Sequence, residues 1–320
     1  MANESIPGRR RALVTGASGY IGSQLARRLV ADGWDVHVLV RPGSDLSALA
    51  AVSDALTVHI VAGDTTDLTA VVRAAAPDAV FHLAAAFVAQ HRQEDVATLV
   101  GANLLFSTQL LEAMAANGVR LLVNTGTAWQ HFGNRAYDPV NLYAATKQAF
   151  EAILAYYVNA CGFSAATLAL FDTYGPHDPR PKLMKALWNA TLEGGRLAMT
   201  SGGQLLDMVY IDDVVEAFLA AELSLRDAGP VQLRYGVSSG APMRLKELVT
   251  AFEQASGVRL DVGWGERPDR PRDVMTAWTD FVPPPGWKAR VGFVEGVRRS
   301  AEAERLTPAV HTLEGRSHLR

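Results

Sequence analysis

Tyr143 and Lys147 stand four residues apart in Tyr143-Ala144-Ala145-Thr146-Lys147. On a helix this spacing puts phenol and ammonium on one face, one turn apart. A phenol with a pKa of about 10 is a poor acid–base at neutral pH. A neighbouring ammonium favours the phenolate and draws that pKa down. The pair gains weight from a Ser/Thr candidate upstream, Thr127, in Asn124-Thr125-Gly126-Thr127.

A second chemical feature lies near the N-terminus, in Thr15-Gly16-Ala17-Ser18-Gly19-Tyr20-Ile21-Gly22. An apolar run over 12–14 leads in and a helical pattern from Ile21 leads out. Gly16 permits the tight turn, Gly19 lets backbone N–H groups approach a pyrophosphate, and Gly22 lets helix and strand pack closely. The helix start adds unpaired N–H groups and a positive dipole end, so Gly16, Ser18, Gly19, Tyr20 and Ile21 are expected to hold a dinucleotide. The next strand decides which one. It reads Val36-His37-Val38-Leu39-Val40-Arg41-Pro42, with no carboxylate at its end. A carboxylate there would take the ribose hydroxyls of NAD, whereas an arginine pairs with a 2′-phosphate. NADP(H) is therefore the expected cofactor, with NAD(H) as the second choice. Asp64 and Thr65 follow the third run, where Gly63-Asp64 would meet the adenine, and Leu83, Ala84 and Ala85 follow the fourth, small enough for the cofactor to pass.

These residues need a frame that brings strand ends together. Short apolar runs at 12–14, 36–40, 56–61, 79–83, 121–123 and 166–170 alternate with helical patterns, notably 95–117 and 143–160. Runs nearly continuous in Val, Leu, Ile and Ala suit parallel strands buried on both faces. The alternation argues an α/β doubly wound parallel sheet, with ligands at its C-terminal edge. After Phe171 the rhythm changes. A smaller mixed α/β part is expected over 172–206 and 239–305, with 207–238 returning to the first domain (1–171) and a tail over 306–320. Beyond Phe171, a helix is expected at 183–192, a strand at 208–211, a helix at 212–224 capped by Asp212 or Asp213, a strand at 233–237, a helix at 244–256, a strand at 258–262 and a loop at 265–286.

Bulk properties narrow the class. The 320 residues carry a net charge of −3, are 49% apolar and 20% charged, and include one cysteine, Cys161. That charge gives no footprint for nucleic acid or an anionic membrane. A lone cysteine leaves no disulfide within the chain and no thiol cluster for a metal. No run reaches the ~18 apolar residues of a membrane span. A soluble, cytoplasmic protein without a metal is expected.

The glycine motif, His82-Leu83-Ala84-Ala85, Asn103, Thr125 and Thr127, Tyr143 and Lys147, and Tyr174-Gly175-Pro176 occur in order. Gly202-Gly203-Gln204, Asp207-Met208-Val209-Tyr210-Ile211-Asp212-Asp213 and Pro285-Gly286-Trp287-Lys288 follow. Over residues 11–300 the set resembles the extended short-chain dehydrogenase/reductase family, chiefly its nucleotide-sugar epimerases, reductases and dehydratases. The resemblance implies a Rossmann fold with Tyr143 as acid–base and Lys147 on the nicotinamide ribose. It also implies Thr127 on the reacting oxygen, Asn103 at the cofactor, and a homodimer built on the two long helices. Departures refine it. Dehydratases of the family follow the threonine with Asp-Glu, but here Ala128-Trp129 follows, which rejects that reaction. His131, after Gln130, stands where a tyrosine is usual, as a second acid–base, a substrate contact or a plain loop histidine. Asp172 replaces an asparagine and Leu206 an arginine. Arg267, Arg270 and Arg272 are forks suited to the lost diphosphate contact, and Gln130, Asp172 and Gln204 join the expected substrate side. The whole is similar to reductases that make deoxysugars from nucleotide-linked 4-keto sugars (abequose- and paratose-synthase-like). The alternatives are a nucleotide-sugar epimerase or decarboxylase with bound cofactor, a reductase of a small carbonyl compound, and a cofactor sensor without catalysis.

Overall fold

The structure is a computed structural model and describes residues 8–62 and 64–306. Gly63 and all of the expected tail except Leu306 lie outside those residues. The chain first forms β1 (Arg11–Thr15), α1 (Tyr20–Ala31), β2 (Asp35–Val40), β3 (Leu56–Ile60), α2 (Thr65–Ala75) and β4 (Ala79–His82). Next come α3 (Asp95–Val100), α4 (Phe106–Ala116), β5 (Leu121–Thr127), α5 (Leu142–Cys161), β6 (Ser164–Leu170), β7 (Asp172–Tyr174) and α6 (Leu183–Glu193). Then follow β8 (Arg196–Ala198), β9 (Leu205–Leu206), β10 (Met208–Tyr210), α7 (Ile211–Leu225) and β11 (Val231–Val237). The last elements are β12 (Met243–Arg244), α8 (Leu245–Ser256), β13 (Asp261–Gly263) and α9 (Phe293–Glu304).

Seven strands pair in the order β11-β6-β5-β4-β1-β2-β3, and every pairing is parallel. The chain winds outward from β1 through β2 to β3, then restarts on the other side with β4. That reversal opens a crevice beyond the C-terminal ends of β1 and β4. Alternate strand residues feed two cores. Ala12, Val14, Val36, Val38, Phe81 and Val123 join one, Leu13, Leu39, Val80 and Leu122 the other. Burial on both faces explains why the runs read as continuous apolar segments.

Several expectations shift. The helix expected over 95–117 carries a π-helical segment, Gly101–Leu105, between α3 and α4. Asp95–Ala116 is also, at 22 residues, long and apolar enough to cross a membrane, against the expectation that no run would be. Its residues Leu99, Leu110, Leu111 and Met114 are buried in the protein core. The strand expected over 258–262 forms only at Asp261–Gly263, paired with β8. The Leu260 N–H is taken by the Glu253 carboxylate at 2.8 Å, which ties the start of that run to the end of α8. Neither Asp212 nor Asp213 caps α7, whose N-cap is Tyr210. The Asp213 carboxylate instead accepts from the backbone N–H groups of Arg290 (3.0 Å) and Val291 (2.9 Å). Its carbonyl accepts from the Trp287 indole at 2.8 Å. A docking partner some 75 residues away outbids the local cap, and α9, with no counterpart among the expected elements, follows that docked segment.

Candidate active site

The glycine turn joins β1 to α1 as its spacing implies. Gly16 has φ +72°, and a Cβ there would meet the backbone of Leu83 and Ala84 at 2.6 Å. A Cβ on Gly22 would meet the Gly16 carbonyl at 2.2 Å. Only glycine lets the turn press against the exit of β4 and the helix against the turn. Gly19 is the N-cap of α1 and supplies no side-chain cap, so the first N–H groups of the helix face outward as anion donors. The turn fits a dinucleotide pyrophosphate. Ser18 is exposed beside it and Ile21 half-buried in the first turn of α1. The Tyr20 side chain is buried and donates to the Pro176 carbonyl at 3.1 Å, so its part at the turn falls to its backbone.

Arg41 is exposed at the end of β2, and among the described residues its guanidinium has no hydrogen-bond or ion-pair partner. Asp64 is committed as N-cap of α2, accepting from the Asp67 N–H at 2.7 Å; Thr65 opens that helix, exposed. Leu83 and Ala84 are half-buried and Ala85 exposed along the crevice. Behind them runs a buried chain of polar groups. The Thr15 hydroxyl accepts from the Ala84 N–H at 3.2 Å and shares a hydrogen bond with His82 Nδ1 at 2.8 Å. His82 Nε2 shares a hydrogen bond with the Ser107 hydroxyl at 2.8 Å. Full burial pulls the His82 pKa down to about 3 and keeps the ring neutral, with Lys147 adding a smaller push. Asn103, expected at the cofactor, spends its side chain on the protein. It accepts from the Ala86 N–H at 2.9 Å and donates to the Ala86 carbonyl at 3.0 Å and the Thr146 hydroxyl at 2.9 Å. It braces the crevice wall against α5.

Thr127 ends β5, while Tyr143 and Lys147 occupy the first two turns of α5. The helix start is set by Asn141, which caps the Ala144 N–H at 2.9 Å and donates to the Ala89 carbonyl at 2.9 Å. The Thr127 hydroxyl accepts from the Trp129 N–H at 3.2 Å, leaving its own proton to give. Burial pushes the Tyr143 phenol up to about 12, with Arg180 opposing. The lowering expected from Lys147 is not seen: burial sets the direction, and the one charge opposing it is Arg180. Burial also takes Lys147 down to about 8 against the pull of Glu151.

A cavity of about 600 Å³ is lined by Trp129 and Asn141, close in the chain to Thr127 and Tyr143, but not by Thr127, Tyr143 or Lys147 themselves. Its wall includes Phe87, whose ring meets Tyr143 edge-on at 4.9 Å, and Trp129, 5.8 Å from Phe87. Asp172, Lys182, Gln204, Arg267 and Arg270 line it as well. The first of these lies two residues beyond the end of β6, and burial raises its pKa while Lys182 opposes the rise. The Lys182 ammonium lies 5.4 Å from the Phe87 ring centroid. Lys182 is not among the residues expected from the sequence, where it stands between Pro181 and the helix expected from 183 with no motif to mark it. Gln204 shares hydrogen bonds with Thr200 at 2.8 and 3.2 Å while still facing the cavity. Arg267 and Arg270 are exposed, and among the described residues neither guanidinium has an ion-pair partner.

Three expected substrate contacts are spent elsewhere. Arg272 also lines the cavity, but its guanidinium pairs with Asp138 and lies over the Phe132 ring at 4.2 Å, which commits it to the protein and not to a diphosphate. His131 stacks on Trp278 with centroids 3.9 Å apart, donates from Nδ1 to the Arg135 carbonyl at 3.1 Å, and is held neutral chiefly by burial. It is packed under the 265–286 loop, not in the large cavity. Gln130 is fully buried and bonded on both sides of its amide.

Comparisons with known proteins accord with this geometry. The model of the NAD dependent epimerase/dehydratase family matches residues 12–232. The UDP-glucose 4-epimerase of Mycolicibacterium smegmatis is 31% identical, over 91% of this chain and 97% of that one. The CDP-abequose synthase of Salmonella typhimurium is 26% identical, over 89% and 95%. A solved structure, the Thermus thermophilus UDP-glucose 4-epimerase complex with NAD, superposes with a TM-score of 0.78 at 28% identity, covering 92% of this chain and 99% of that one.

Proposed function

The chain belongs to the NAD dependent epimerase/dehydratase family, and on that premise we propose that it is an NADPH-dependent reductase of a nucleotide-linked 4-keto deoxysugar. The carrying observation is Arg41, an exposed guanidinium with no partner among the described residues, at the strand end where NAD-users need a carboxylate. The glycine turn, Arg41 and Lys147 would hold NADPH in the crevice, where it would supply a hydride for the carbonyl carbon at C4. Tyr143, a phenol at neutral pH, gives its proton to the C4 oxygen. Reduction needs the phenol at the outset, whereas oxidising an alcohol, the first half of an epimerisation, needs the phenolate. Lys147 holds the ribose and steadies the phenolate left behind, and the Thr127 hydroxyl holds the C4 oxygen in line. Arg267 and Arg270 take the diphosphate, while Asp172, Lys182 and Gln204 face the sugar. Half-buried Cys161 fits a reducing cytoplasm. Val96, Val100, Leu105 and Tyr156 leave apolar surface on α3, α5 and the π-helical segment, which we assign to a homodimer; sedimentation should give twice 34.4 kDa.

A second reading, a 4-epimerase with tightly held cofactor, is favoured by the 31% identity to a UDP-glucose 4-epimerase. The test mixes purified protein with NADPH and a panel of CDP-, dTDP- and UDP-linked 4-keto-6-deoxy sugars. Loss of the NADPH absorbance with one of them supports the reductase. Protein that carries NAD through purification and interconverts sugar epimers without added cofactor supports the second reading.

A further inference from the structure

Glu151 is a buried carboxylate with no part in the chemistry above. It follows Lys147 by four residues, so Tyr143, Lys147 and Glu151 form one stripe along α5 over two turns. Its two oxygens are used differently. Oε1 accepts from the Gln130 amide at 2.7 Å. Oε2 accepts from Arg234 Nε at 2.9 Å and from Nη2 of the same guanidinium. The other end of Gln130 accepts from the backbone N–H of Thr127 at 2.9 Å. Gln130 also donates to Gln148 Oε1 at 2.8 Å, which Arg234 Nη2 reaches at 3.2 Å. Gln232 on β11 donates to the Glu151 carbonyl at 3.0 Å.

One carboxylate thus ties the strand end that presents Thr127 to the helix that presents Tyr143 and Lys147. We propose that Glu151 is a positioning residue: through Gln130 it sets Thr127 against Tyr143, and its negative charge, braced by Arg234, keeps Lys147 in its cationic form. Two kinds of evidence meet here, the continuous chain of hydrogen bonds and the electrostatic pull of Glu151 on Lys147 against burial. The charged and titratable groups around the stripe are few. Lys147 faces Tyr143, Glu151 and neutral His82. Glu151 faces Arg234 from β11, the amides of Gln130 and Gln148, and His131, on which both Glu151 and Arg234 act. Arg234 is one-third exposed on its side chain and Glu151 hardly at all, so the carboxylate is the member that the interior feels.

The proposal uses the Lys147 role of the reductase reading, but its test does not need turnover. The chain has five lysines, so 13C-lysine labelling with Lys147→Arg for assignment lets NMR follow the Lys147 titration in the ligand-free protein. Glu151→Gln removes the charge and nearly keeps the shape, so the Lys147 midpoint should fall by about one pH unit or more. Arg234→Gln removes the opposing cation and leaves the carboxylate, so the midpoint should rise. These opposite shifts separate an electrostatic brace from a merely structural one, which would leave the midpoint in place in both variants. If Glu151→Gln does not fold, the upward shift in Arg234→Gln decides alone. With an active substrate, Glu151→Gln should also lose about tenfold in kcat at pH 7 with KM nearly unchanged. Unmoved midpoints would overturn the proposal. Moved midpoints without NADPH turnover would support it and count against the reductase reading.

Discussion

Replacing Arg41 by alanine should separate the two cofactors. The guanidinium is exposed at the end of β2, so nothing in the fold depends on it and the change should leave stability within about 0.5 kcal/mol. A charge-assisted hydrogen bond to a phosphate contributes on the order of 1.5–3 kcal/mol. Solvent around Arg41 puts its share at the lower end, about 1.5 kcal/mol. That corresponds to roughly a tenfold rise in the Kd for NADPH. NADH has no 2′-phosphate and should bind the variant as it binds the wild type. The assay is fluorescence titration with each cofactor at two salt concentrations. Screening over about 8 Å at physiological ionic strength should erode the wild-type preference for NADPH as salt rises and leave the variant flat. Arg41→Asp should go further and favour NADH, since a carboxylate accepts the ribose hydroxyls. Equal weakening for both cofactors, or none for either, would refute the assignment of Arg41 and with it the case for a consumed reductant.

Three further changes probe the site and its support. Tyr143→Phe should lower kcat by about 10²–10⁴ while NADPH affinity stays within a few-fold, as stopped-flow and binding titrations would show; unchanged turnover would remove Tyr143 from the reaction. Arg270→Ala should raise KM for the nucleotide sugar about tenfold or more, whereas Arg272→Ala should leave KM alone and lower Tm, because Arg272 is bound to Asp138 and Phe132; the opposite pattern would exchange their roles. His82 is held to about 3 in the folded protein against 6.5 in a free side chain. Below pH 6.5 the unfolded chain takes up a proton that the folded chain refuses. The stability is therefore whole above pH 6.5 and falls toward pH 3, by about 1.4 kcal/mol per pH unit for this one proton. His37, His59 and His131, also lowered by burial, add to the slope. Denaturant unfolding between pH 6.5 and 5 should show His82→Gln with a shallower slope than the wild type, and an equal slope would show that His82 is not held neutral.

The glycine turn and the sheet behind it were legible because their requirements are local. A left-handed Gly16, a Gly22 with no room for a Cβ, and strands buried on both faces leave marks within a few residues. Tyr143 and Lys147 were legible for the same reason, since one helical turn relates them. Long-range packing was not. Nothing near His131 says that Trp278 stacks on it, and nothing near Arg272 says that Asp138 claims it. Asn103 and Gln130 were expected at the ligands on the resemblance, and only the fold shows that their partners are Ala86, Thr146, Thr127 and Glu151. Asp213 looked like a cap because it stands beside a helix start, and lost that role to backbone N–H groups at 290 and 291. Where the partner is remote, pattern within the chain carries no signal.

The central claim is that a hydride leaves an NADPH drawn from solution and stays on the sugar. The protein should be incubated with NADPH deuterated at the nicotinamide C4, on either face in turn, together with the 4-keto nucleotide sugar that it consumes. The account predicts one deuterium at C4 of the product from one labelled face only, with one NADPH oxidised per sugar reduced. Sugar that interconverts at C4 with no deuterium taken from solution, and no net loss of NADPH, would contradict it and assign the chain to the epimerases.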